Sequence, residues 1–218
     1  MQLKQVASLL LSACYLVLLL LVSPWAWAWP QSLELASYEG HGYQFKPLSQ
    51  QDARAFLAAY EGDTAYLRQR LGWGWPPLLP SPEQNADMVN EHLRQRAAGE
   101  GYTYLIVSQD RREVKRLVGA VYLVPVLPER EQVQGLEVRA FDAELSWWIN
   151  PQGQTHEQYA EFWLALTEWL QQSQSLQRIL VPVYVEHDAA IALLNQTELL
   201  PVASDEESRT LFYQLRLP

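Results

Sequence analysis

Cysteine is almost absent: Cys14 is the only one in 218 residues, so no intramolecular disulfide can form and no thiolate metal cage can be built. Positive charge is scarce too, with 16 Lys plus Arg against 25 Asp plus Glu and a formal net charge of −9. That balance leaves no extended cationic surface to neutralise phosphates, and nucleic acid is not an expected partner. Histidine is limited to His41, His92, His156 and His187, whose spacing follows no metal-ligand pattern. Solvated or capping roles are expected for them, and no metal. What the chain does have is apolar surface: 49% of its residues are hydrophobic and 19% charged, enough for one sizeable core.

Long hydrophobic runs are confined to the N-terminus. Lys4 precedes an apolar stretch from Val6 to Val22, then Ser23-Pro24 and Trp25-Ala26-Trp27-Ala28. That order matches the charged, hydrophobic and small-x-small parts of a secretory signal, cut after Ala28. The expectation is a signal peptide over 1–28, a short linker over 29–42 and a folded domain over 43–218, exported to a periplasm or secreted. Two alternatives stand beside it. The apolar run is close to the ~17–25 residues that span a bilayer, so an uncleaved single-pass anchor fits as well, and it would then be the chain's one link to a membrane. Leu11-Ser12-Ala13-Cys14 also matches a lipoprotein box, although Tyr15–Val22 beyond it stays hydrophobic where a polar tether is usual.

Beyond the leader the pattern alternates between strand and helix. Tyr43–Leu48 alternates like a strand, and Ser49 can cap a helix over 50–60 with Ala53, Phe56, Leu57 and Tyr60 on one face. The stretch 71–82 holds Gly72, Gly74 and four prolines and reads as a loop. A second helix is expected over 83–98, with Val89, Leu93 and Ala97 inward, stopping at Gly99. Two apolar runs, 102–108 and 117–126, flank a charged turn like a hairpin. A strand over 140–149 follows, then the clearest helix, 156–172, with Tyr159, Phe162, Trp163, Leu166 and Leu170 at helical spacing. A strand over 178–185, a short helix over 188–196 and a last strand over 209–217 complete the order.

This order, with Glu144-Leu-Ser-Trp-Trp-Ile-Asn-Pro151 and Leu117-Val-Gly-Ala-Val-Tyr-Leu123, resembles the GNAT superfamily of acyl-CoA-dependent N-acyltransferases. The likeness is to the branch that acetylates ribosomal-protein N-termini. Glu186–Leu194 is similar to that family's next motif. The resemblance implies a mixed α/β (α+β) fold, a mostly antiparallel central sheet with helices on both faces. It also implies acetyl-CoA as co-substrate and acetyl transfer to a primary amine, on a small molecule or a protein N-terminus. It places the cofactor along Trp148, Ile149, Asn150, Gly153, Gln154, Thr155 and His156, and makes Glu144 the candidate general base. The plainer reading of Glu144 is an outward-facing strand carboxylate.

The ligand-facing positions depart from the family pattern. The Gly-x-Gly of the pyrophosphate loop falls on Thr155, His156 and Glu157, so both glycines are missing and a carboxylate stands where phosphates should sit. Like charges a few ångströms apart repel by about 1 kcal/mol even in water. The family's Asn and Ser fall on His187 and Ala190. A second expectation of a different class is therefore a non-catalytic binding module for a peptide or small amine. Trp73 and Trp75 sit in a loop that in such a fold borders the acceptor, so they are candidate substrate contacts or anchors of the loop. Trp147 and Trp148 point to opposite faces of one strand, one toward the core and one toward the cleft. Export raises a further question, because acyl-CoA is cytoplasmic. Another acyl donor, recognition without catalysis, or an anchor with the domain on the cytoplasmic side would each answer it.

Overall fold

The computed structural model describes Trp29 and residues 33–109, 114–151 and 155–218. The leader lies outside them, and no helix among the described residues is long and apolar enough to cross a membrane. The strands are β1 (Tyr38–Gly40), β2 (Tyr43–Pro47), β3 (Tyr102–Gln109), β4 (Lys115–Val124), β5 (Ala143–Ile149), β6 (Arg178–Tyr184), β7 (Pro201–Asp205) and β8 (Thr210–Arg216). They form one sheet in the order β1-β2-β3-β4-β5-β6-β8-β7. Every adjacent pair is antiparallel except β5–β6. The described helices are α1 (Ala53–Tyr60), α2 (Thr64–Leu71), α3 (Pro82–Ala98), α4 (His156–Leu170) and α5 (Asp188–Gln196).

Local chemistry explains most of these boundaries. A short 3-10 turn, Gln50–Asp52, opens α1, and the Asp52 carboxylate accepts from the Ser49 backbone N–H at 3.1 Å in a capping box. Ser81 caps α3 with Pro82 in its first turn, and Gly99 ends it at φ 68°. Thr155 and Gln158 form the same box at α4. The sequence gives little sign of α2, because of its eight residues only Thr64, Leu67 and Leu71 are buried. Val89 faces the core as expected, but Ala97 is exposed in the last turn of α3.

One face of the sheet is covered by α4 and α5, whose Phe162, Trp169 and Leu194 pack on Phe45, Ile106, Val121 and Val181. The other face is covered in two parts. Over β3–β5 lie α1, α2 and α3, with Phe56, Leu67 and Val89 against Leu105 and Trp148. Over β6 and β8 lies the irregular segment holding Val133, Leu136 and Phe141, against Leu180 and Phe212. Within the stretch expected as a linker, Leu33 and Leu35 are buried in the first cluster, β1 extends the sheet, and the Trp29 indole donates to the Gly99 carbonyl at 2.7 Å.

Candidate functional site

Between the two covers, the sheet itself opens. Pairing of β5 with β6 is confined to Ala143–Ile179 and Glu144–Leu180, after which the strands part. The cause is legible in β6. Val185 donates to the Arg209 carbonyl and Leu217 to the Gln177 carbonyl, so the odd-numbered residues of β6 bond to β8. Even-numbered Leu180, Pro182 and Tyr184 therefore turn their backbone groups toward β5. Proline has no N–H to give, and the ladder stops one step after Leu180. On the other side of the gap, Asn150 donates to the Val118 carbonyl at 2.7 Å, which commits Asn150, Trp148 and Ser146 to β4 by alternation. The backbone groups of Trp147 and Ile149 thus face the notch.

Three cavities meet along this notch. On the α1–α3 face lies one of about 430 Å³, walled by Trp73, Trp75, Tyr122 and Glu144. Trp73, Ser146 and Pro182 also border a narrow space of about 20 Å³ in the notch itself. His187 joins that space to a third cavity, about 240 Å³, lined by Arg70, Ile149, Thr155 and Tyr159. The path leads from the start of α4, across the parted strands, into the large cavity.

The charges along this path are strongly organised. Glu144 is 4% exposed and lies on the wall of the large cavity, not on an outward face. Arg130 grips it with two hydrogen bonds, Nε to Oε2 at 3.1 Å and Nη2 to Oε1 at 2.9 Å. Burial alone would lower the Arg130 pKa, but Glu144 outweighs it and holds the guanidinium above its ordinary value. Both carboxylate oxygens are thus engaged in charge-assisted hydrogen bonds. His92, on the same cavity, is pushed below its usual pKa, chiefly by burial, and is neutral near pH 7. His187 caps α5, accepting from the Ala190 N–H at 3.3 Å, and burial followed by the nearby Arg70 charge lowers it to about 4. Arg70 donates to the Glu186 carbonyl and the Asp188 carboxylate, yet its buried Nε has no hydrogen-bond partner.

The residues expected at the cofactor separate into groups. Ile149 and Thr155 line the third cavity. Trp148 and Asn150 are turned away. The Trp148 indole is fully buried beneath α1 and donates to the Tyr122 hydroxyl at 3.0 Å, while the Asn150 amide donates to the Ala59 carbonyl at 2.9 Å. Trp147 is core as well, 4% exposed with its Nε1 donating to Tyr159, so neither indole of the pair stands free in a cleft. Gly153 and Gln154 lie outside the described residues, as does the His156 side chain, and Glu157 is exposed. Trp73 and Trp75 both line the large cavity. Arg130, Arg70 and Pro182 are not among the residues the sequence points to, and His92, expected there only in a solvated or capping role, lines the large cavity instead. Only Pro182 leaves a readable sign in the sequence, a proline inside an otherwise apolar strand.

Comparison with known proteins agrees with this architecture. Residues 44–198, more than half of the chain, match the family described as acetyltransferase (GNAT) domain. Among solved structures, the chain is similar to RimL, a ribosomal L7/L12 alpha-N-protein acetyltransferase in complex with coenzyme A, with TM-score 0.62 and 13% identity over 84% of this chain and 98% of that one. Mycobacterium smegmatis RimJ in complex with CoA-disulfide matches with TM-score 0.61 and 12% identity, covering 84% and 86%. Ribosomal-protein-S5-alanine acetyltransferase from Vibrio fischeri matches with TM-score 0.60 and 11% identity, covering 83% and 96%. No curated protein sequence matches the chain. With the parted β5–β6 pair at the centre of its sheet, this chain belongs to the GNAT acetyltransferase domain family.

Proposed function

We propose that the chain is an acyl-CoA-dependent N-acyltransferase acting on a primary amine, with the notch as thioester site and the large cavity as acceptor site. The observation behind it is the end of β5–β6 pairing at Glu144–Leu180, which turns the backbone of Trp147 and Ile149 to a gap. The residues present suit the co-substrate. Backbone groups of Trp147 and Ile149 would hold the acyl and pantetheine end, and Arg70, which lines the third cavity and whose buried Nε has no partner, would face the phosphate end beside Thr155. The co-substrate supplies the activated acyl carbon. In the net change the amine nitrogen bonds to that carbon and loses a proton, while the C–S bond breaks and its sulfur leaves with the electron pair and takes up a proton. Within the large cavity, neutral His92 can hold the proton in passing without breaking an ion pair, whereas Glu144 fixes Arg130. Similarity to coenzyme A-bound ribosomal-protein acetyltransferases supports the co-substrate and admits a protein N-terminus among the acceptors.

A second reading, recognition without catalysis, is favoured by the tightness of the notch, where about 20 Å³ is left between Trp73 and His187. Export by the leader is part of the same proposal and rests on the signal-like order of 1–28. Calorimetric titration with acetyl-CoA decides between the readings. Micromolar binding followed by thiol release with an amine supports the transferase, and no heat at millimolar ligand leaves the binding module.

A further inference from the structure

The large cavity has a chemical character that the family resemblance does not supply. Trp73 and Tyr122 meet edge to face at 5.9 Å between ring centroids, and Trp75 lies beside them. Met88, Val124 and Leu127 complete a wall that is predominantly apolar. Its charged groups cancel: Arg130 and Glu144 spend their charges on each other, 17% and 5% exposed at the side chains. His92 adds no charge near neutral pH. A polycationic or strongly hydrated acceptor would lose its water here and meet no unpaired counter-charge. Aromatic and aliphatic surface, by contrast, is what such walls take from water favourably. The volume, about 430 Å³, falls in the range of sites for small molecules.

We infer that the acceptor is a small primary amine carried on an aromatic or aliphatic body, which packs against Trp73, Trp75 and Tyr122 and presents its nitrogen to the notch at Ser146. The inference rests on the transferase reading for its chemistry, but binding in the cavity can be measured without it.

The test compares 2-phenylethylamine with spermidine, glucosamine and a serine-initiated hexapeptide as acceptors for acetyl-CoA on the full chain. Two substitutions, Met88→Trp and Val124→Trp, fill the cavity from different elements, so that one misfolded variant does not decide the outcome. The expected kcat/KM for 2-phenylethylamine is about tenfold or more above the three polar amines, and each filled variant lowers it about tenfold with acetyl-CoA affinity unchanged. A polar amine that is used equally well, or filled variants that keep full activity, would overturn the inference. Should no amine be acetylated, calorimetry with 2-phenylethylamine decides: binding that is lost in the filled variants supports the cavity's role, and no binding to the unsubstituted chain overturns it. Failure of acetyl-CoA to bind removes the transferase reading alone.

Discussion

Pro182 stands in β6 where the next N–H donor to Leu145 of β5 would be, directly after the Glu144–Leu180 pair. The residue that ends the ladder also borders both the notch and the large cavity. Replacing it with valine restores a donor at a position flanked by good strand formers. Pro182→Val is expected to extend the β5–β6 ladder, to weaken acetyl-CoA binding about tenfold or more, and to leave the thermal midpoint unchanged or higher. Calorimetry alongside thermal unfolding reads both, and unaltered binding would show that the proline does not keep the notch open.

The Arg130–Glu144 pair should behave as a unit. Arg130→Leu leaves a buried carboxylate without its partner and is expected to cost about 3–5 kcal/mol. Glu144→Leu strands the guanidinium and costs a similar amount, while the double substitution regains most of the loss. Urea unfolding of the four proteins gives the coupling directly. Additive losses would mean that the two side chains, 2.9 Å apart, do not depend on each other.

His92 and Glu144 predict different kinetics. If His92 takes the proton, His92→Gln lowers kcat by about 10²-fold and abolishes the acid limb of the pH–rate profile. That limb lies below pH 6.5, because the imidazole titrates under its ordinary value. Glu144→Gln is expected to lower stability and leave the shape of the profile intact. A profile that changes with Glu144→Gln and not with His92→Gln would return the base to the strand.

His187 links stability to pH. Its folded pKa, about 4, lies below the unfolded value near 6.5, so the unfolded chain binds more protons between the two. Its contribution is complete above pH 6.5 and is lost as pH falls toward 4. After a discount for partial exposure, the loss is on the order of 2 kcal/mol. His187→Asn keeps a side-chain cap on α5 and should flatten that part of the stability curve in urea titrations at several pH values.

Gly119 tests the sheet just behind the notch. A Cβ there would lie 2.0 Å from the Trp148 carbonyl oxygen, which is backbone and cannot swing aside. Gly119→Ala is expected to destabilise by about 3 kcal/mol, with a thermal midpoint several degrees lower. A midpoint within a degree of the unsubstituted chain would mean that β4 and β5 separate there at little cost.

Most of the fold could be read from the sequence because periodicity reports burial. Asp188–Gln196 was expected at its observed bounds, and the helix from His156 to within two residues of its end. Elements with little buried surface escaped: α2 buries three side chains, β1 spans three residues, and no buried residue occurs in β7. The site was harder. Trp73, Trp75 and Glu144, chosen by analogy of position, all line the large cavity. Arg130 lies in an irregular segment whose register against β5 only the tertiary structure sets, and Arg70 belongs to the helix that was missed. Trp148 and Asn150 turn their backbone groups to β4 because strand alternation, fixed by the Asn150–Val118 bond, gives the notch to their neighbours.

The brevity of the β5–β6 seam has a mechanical side. Strands β1–β5 on one flank and β6–β8 on the other are joined edge to edge over two residue pairs only. The flanks form two lobes stitched at one end, with α4 and α5 packed across the back. A wedge driven into the open end would break few backbone hydrogen bonds between the two flanks. Amide protons of Trp147 and Ile149, at the lips of that opening, would then exchange with solvent faster than those of Ser146 and Trp148 beside them.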